Sequence, residues 1–167
     1  MLRLIRGDRV IENMKTQYML VFQMMETIVN DISEETYYKK IGGHFFWQQL
    51  LHALMGSHFW FRLNNEPFVE PFLDREYFPE FQQEPDNVMP REELLGFILL
   101  IRAQVDEFFD NKTDEWLSQN SALYPKLSNI EIITMQIRHL MYHTGYCSAL
   151  MNNEDNYKMN WIDYYGN

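Results

Sequence analysis

"SNIEIITMQIRHLMYHTGYCSALMN", residues 128–152, carries both the fold signal and the functional question. Ser128 with Glu131 is the S-x-x-E signature of a capping box. It opens a helix expected to run to about Asn152, where "NNEDN" stops it. Ile130, Ile133, Ile137, Leu140 and Thr144 form its inward stripe. His139 and His143 stand beside that stripe, on a neighbouring face with Gln136 and Tyr146. Helical positions i and i+4 lie about 6 Å apart between Cβ atoms, close enough for both imidazoles to hold one ion. An HxxxH pair alone is a weak signal, because solvated or hydrogen-bonded histidines occur at that spacing more often than ligands do.

Three further segments read as helices. In the first, Met14, Tyr18, Val21, Met25 and Ile28 recur at steps of four and three, the spacing of a core-facing stripe. Asp31 with Glu34 is expected to cap a short turn reaching Lys40, which Gly42 and Gly43 break. The second, "HFFWQQLLHALMGSHFWFRL" at 44–63, is apolar around most of its circumference and therefore largely buried. The third begins at Pro90, has Glu92 and Glu93 at its positive dipole end, and turns Leu94, Ile98, Ile101, Val105 and Phe108 inward. Between the second and third lies a connection, 64–90, holding five of the six prolines and a run of aromatics that would pack over the helices, either helping to wall a cleft beside the second helix or only covering an exposed seam. Four helices of roughly 20 residues without an alternating strand pattern predict an all-α four-helix bundle. The 167 residues are enough for a single domain over 1–167 with a sizeable core.

Composition excludes several functions. A net charge of −10, with 24 acidic and 14 basic residues, repels a phosphate backbone, so no nucleic-acid partner is expected. There is no Gly-rich phosphate loop. The longest apolar run, "LLGFILLI" at 94–101, is too short to span a bilayer, so no membrane role is expected. The charged segment "MLRLIRGDRVIENMK" is unlike a signal peptide, and a single cysteine, Cys147, fits a reducing compartment; together they predict a cytoplasmic protein.

A third ligand would turn the histidine pair into a catalytic type of site, with three protein ligands and an open position. His44, His52 and His58 all fall in the second segment, and periodicity does not choose among them. His58 lies nearer the most apolar arc, and His52 sits at its edge with Phe45, Gln49 and Phe59.

The chain resembles the DinB/YfiT family of metal-dependent enzymes. Members carry a histidine in helix two with an aromatic pair seven and eight residues later, and a late HxxxH that usually continues as Arg-Gly-Gln. Here "LLHALMGSHFWFRL" supplies His52 with Phe59 and Trp60, and "HLMYHTGYC" supplies His139 and His143 followed by Thr144, Gly145 and Tyr146. The resemblance covers nearly the whole chain. It implies an up-down-down-up bundle and a metal held by His52, His139 and His143. Zn or Ni is the expected ion, with Fe or Mn as alternatives.

Three neutral imidazoles leave the charge of a divalent ion undamped, so a water bound there can fall from a pKa of ~15.7 towards ~7. The expected chemistry is hydrolysis, or thiol-dependent transfer, on a small-molecule substrate, with a low-molecular-weight thiol as a partner the resemblance implies. Leu140 follows His139, so the HExxH arrangement of metalloproteases is absent and no catalytic base is assigned. Tyr142 and Tyr146 are candidate donors to a substrate, or packing residues. Cys147 is a fourth ligand or, more simply, a small buried thiol. The apolar circumference of the second segment further predicts a homodimer. The alternative to an enzyme is a non-catalytic binding or structural bundle with a vestigial site.

Overall fold

The computed structural model describes residues 9–63 and 67–165. The start of the N-terminal segment and the first three residues of the 64–90 connection lie outside them. The described chain is all-α in character, with α1 (Arg9–Asp31), α2 (Glu34–Tyr37), α3 (Phe46–Trp60), α4 (Arg91–Phe109), α5 (Asp114–Leu117) and α6 (Asn129–Asp155). The four long helices pack in a cycle: α1 against α6 and α4, and α3 against α6 and α4. No helix among the described residues is long and apolar enough to cross a membrane.

The stripes read from spacing are the ones that bury. Tyr18, Val21, Met25 and Ile28 of α1 and Leu94, Ile98, Ile101, Val105 and Phe108 of α4 all enter the core, while Met14 packs at its edge. They surround Trp47, Leu50, Leu51 and Leu54 of α3, all fully buried. Each such side chain removed from water contributes about 1.5–3 kcal/mol. On α6 the inward face is rotated slightly from the expected one. Ile133, Leu140 and Thr144 are buried, Ile130 and Ile137 sit at the edge, and Gln136, His143 and Cys147 are inside.

Helix ends explain the remaining differences. Ser33, not Asp31, caps α2: its Oγ accepts from the Thr36 N–H, and Asp31 is the last residue of α1. α3 begins at Phe46 because Lys40–Ile41 and His44–Phe45 pair as an antiparallel ribbon around Gly42 and Gly43. Those glycines take φ of 65° and 97°, which a two-residue hairpin turn of this hand requires. The start of α6 follows the expected box, with the Glu131 carboxylate accepting from the Ser128 N–H at 2.8 Å. At the start of α1, the Asp114 carboxylate accepts from the Val10 and Ile11 N–H groups, filling donors that no helical carbonyl reaches.

The connection after α3 is ordered through its described part. Buried Gln48 donates to the Phe78 carbonyl at 2.8 Å, and the Tyr77 hydroxyl donates to Glu93 of α4 at 2.7 Å. Phe72, Glu76, Phe78 and Phe81 adopt positive φ, a conformation non-glycine residues hold only when their surroundings impose it.

At the end of α6, Asp155 accepts from the Ser33 N–H and hydroxyl, both at 2.8 Å, and from the Thr36 hydroxyl at 2.5 Å. Burial alone raises its pKa, but these hydrogen bonds and Lys39 outweigh that and hold it below the usual carboxylate value. A depressed folded value means that the stability Asp155 contributes is complete above its unfolded pKa and is lost as pH falls through the folded one. The Asp155→Asn variant should therefore be less stable at neutral pH and show a flatter acid limb. Urea midpoints measured from pH 7 down to pH 3 check this; an unchanged acid limb contradicts it.

Candidate metal centre

His52 lies on α3, and His139 and His143 lie one turn apart on α6. What brings them together is residue 56. Gly56 faces the His139 ring so closely that a Cβ there would stand 2.7 Å from Cε1 and 2.9 Å from Nδ1. Without that atom α6 settles against α3, and the three rings converge. Ring centroids are 5.5 Å apart for His52 and His139, 4.8 Å for His52 and His143, and 4.7 Å for His139 and His143. One ring nitrogen from each lies within 4.8 Å of the other two.

The protonation pattern suits ligation. His52 Nδ1 is 2.9 Å from the Pro79 carbonyl, which only accepts, so Nδ1 carries the proton and the lone pair is left on Nε2. A backbone carbonyl holding the far nitrogen of an imidazole is a common way of orienting a metal ligand. The Nδ1 atoms of His139 and His143 are buried with no hydrogen-bond partner among the described residues. Burial first, and then the neighbouring histidines, push His139 down to about 4 and His143 down to about 3. Both are neutral at physiological pH. Three imidazoles, two of them neutral and with an orphaned nitrogen, form a donor set that fits a divalent transition ion.

The other histidines separate cleanly from this group. His44 sits on the ribbon with its ring 4.2 Å from Phe81. His58 is held by Gln104, with its Nδ1 2.7 Å from Oε1. Cys147 is fully buried, its thiol pushed up to about 12 by desolvation, and it is not in the histidine group.

A cavity of about 490 Å³ opens beside His52 and His139. Phe59 and Trp60, the aromatic pair of the sequence motif, form one wall with Met55; Met135 and Gln136 of α6 form another. The proline-rich connection closes the third side with Phe68, Glu70 and Glu80. Glu80 lies 3.8 Å from His52 Nδ1. Glu70 is half-buried, and burial, then the charge of Glu80, raises its pKa. Neither tyrosine singled out from the sequence lines this cavity. Tyr142 is exposed with its ring edge-on to His143, and the Tyr146 hydroxyl presses on Gly42. Sequence reasoning missed Gly56, Pro79, Glu70 and Glu80. None has a periodic signal, and the last three act from an irregular segment.

These features define an all-α protein with an interhelical three-histidine cluster beside a cleft. The DinB family model matches residues 21–154, a span containing all three histidines, and the chain belongs to the DinB family. No curated protein and no solved structure matches it.

Gly56→Ala isolates the role of the close approach. Alanine favours a helix over glycine by up to about 1 kcal/mol, yet here the new methyl group meets His139. Helical circular dichroism should be unchanged, while the His139 ring resonances shift. Gly96→Ala, where a Cβ meets nothing within 4 Å, should leave them in place. An undisturbed His139 in the Gly56→Ala protein would contradict the packing argument.

Proposed function

We propose that residues 1–167 form one domain, an up-down-down-up four-helix bundle of the DinB type, working as a divalent-metal-dependent enzyme on a small molecule. His52, His139 and His143 hold the ion, with Zn or Ni preferred over Fe or Mn. The observation that carries this reading is the convergence of three ring nitrogens within 4.8 Å, with His139 and His143 held neutral. Exposed or structural histidines have no need to face one another with buried nitrogens left unpartnered.

Such an ion supplies Lewis acidity towards a water, a thiol or a carbonyl oxygen, which makes hydrolysis and thiol-dependent transfer the two reaction classes. The protein's part is positional. Pro79 fixes the His52 tautomer, Gly56 lets His139 approach, and Phe59, Trp60 and Phe68 limit water beside the cluster. Three protein ligands would leave a bound ion able to take a water or substrate as a further ligand. A low-molecular-weight thiol is the co-substrate we assign to the transfer reaction. Nucleic acid and membrane are not among the partners, and the place of action is the cytoplasm.

Chain prepared without a nickel column should carry close to one transition ion, read by elemental analysis after incubation with Zn, Ni, Mn and Fe salts. His139→Ala and His143→Ala should each lose it. An ion-free wild type with native circular dichroism would leave the alternative, a non-catalytic bundle with a vestigial site.

We also propose a homodimer, supported by Leu99 and Leu100, which stand exposed side by side on α4. Light scattering at micromolar concentration should give twice the 20.3 kDa chain mass. A monomer mass refutes it.

A further inference from the structure

The polar groups of the cavity have a bias that the metal reading does not use. Among the described residues, the ionisable groups lining it apart from the histidines are Glu70 and Glu80, and no described lysine or arginine lines it. Neither carboxylate is paired with a lysine or arginine among the described residues; the His52 ring lies 3.8 Å from Glu80. Gln136, only 2% exposed, lines the same cavity, and its Oε1 is buried with no hydrogen-bond partner among the described residues. An acceptor buried in that state costs about 1–3 kcal/mol, which a guest N–H would offset. The remaining wall offers the rings of Phe59, Trp60 and Phe68, and aromatic faces attract cations within ~6 Å.

We propose that this cavity takes a small molecule with a protonated amine, whose N–H groups donate to Gln136 Oε1 and to the carboxylates of Glu70 and Glu80. The aromatic wall holds the apolar remainder. Two neighbouring carboxylates repel an anionic guest, and a neutral one leaves their mutual repulsion unrelieved. The half-buried position of Glu70, whose pKa burial and Glu80 raise, fits a carboxylate waiting for a counter-charge. A volume of about 490 Å³ suits a guest of metabolite size. The proposal deepens the enzyme reading by naming the substrate class, since the histidine cluster would then face the rest of an amine-bearing substrate. Recognition of the amine itself needs no ion.

The test uses three probes of matched size on the full chain: phenethylamine, 3-phenylpropionate and 2-phenylethanol, titrated calorimetrically at neutral pH. Chelator-treated protein is used first, so that an amine cannot score by coordinating a metal. Phenethylamine should bind at least tenfold more tightly than either other probe. Glu70→Gln and Gln136→Met should each weaken it severalfold while 2-phenylethanol is unaffected, which separates lost recognition from lost folding. No phenethylamine binding at millimolar concentration, equal binding of the carboxylate probe, or full amine affinity in both variants overturns the proposal. Repeating the series on zinc-treated protein separates the two readings. Amine selectivity in a chain that takes up no zinc removes only the metal reading. Zinc uptake without amine selectivity removes only this one.

Discussion

The contact between Gly56 and His139 is the constraint on which the rest of the site depends. An ordinary side chain at residue 56 would hold α6 away from α3 at the point where the histidines face each other. A glycine inside a helix costs up to about 1 kcal/mol against alanine, so its presence in the apolar α3 is a local penalty offset by close packing. The same closeness takes His139 and His143 out of water. That loss of solvent, more than any single charge, keeps them neutral. One missing methyl group thus sets both the geometry of the cluster and the protonation state of its two α6 members.

The connection between α3 and α4 completes what the helices begin. Its backbone supplies the Pro79 carbonyl that fixes His52, and its side chains supply one wall of the cavity. An irregular segment can do this only if it is rigid. Gln48 and the Tyr77–Glu93 pair tie it to α3 and α4, and Phe81 lies 4.6 Å from the His52 ring. The positive φ values at Phe72, Glu76, Phe78 and Phe81 are the strain that accompanies this path. A segment free to relax would give them up.

Periodicity made the four long helices legible, because a stripe at steps of three and four has few other uses. It failed on α3. A helix apolar all round has no preferred face, so spacing alone could not choose His52 over His44 or His58. The family resemblance proposed His52, and the packing of α3 on α6 brings it, and not the other two, to the pair. Local chemistry misled at one cap: Asp31 and Ser33 both suit an N-cap, and α1 extending through Asp31 leaves the role to Ser33. That the connection should help wall the cleft could be read from its start just after the helix carrying His52, and Phe68, Glu70 and Glu80 do line the cavity; which of its residues would do so could not. Which carbonyl meets His52 depends on a backbone path fixed by tertiary contacts.

The departures from the family pattern after His143 have a physical consequence. Thr144, where arginine is usual, is buried, its hydroxyl donating to the Leu140 carbonyl at 2.8 Å. Tyr146, where glutamine is usual, packs on the hairpin turn at Gly42. Neither residue lines the cavity; both are taken up in packing within the chain. An arginine at 144 would have added a positive charge one residue after a cluster histidine. Its replacement by a buried hydroxyl adds none, and the described polar residues lining the cavity besides the histidines are Glu70, Glu80 and Gln136. The polar groups that do line the cavity on α6 lie at the start of the HxxxH motif, at Gln136 and His139, with Glu70 and Glu80 of the connection opposite.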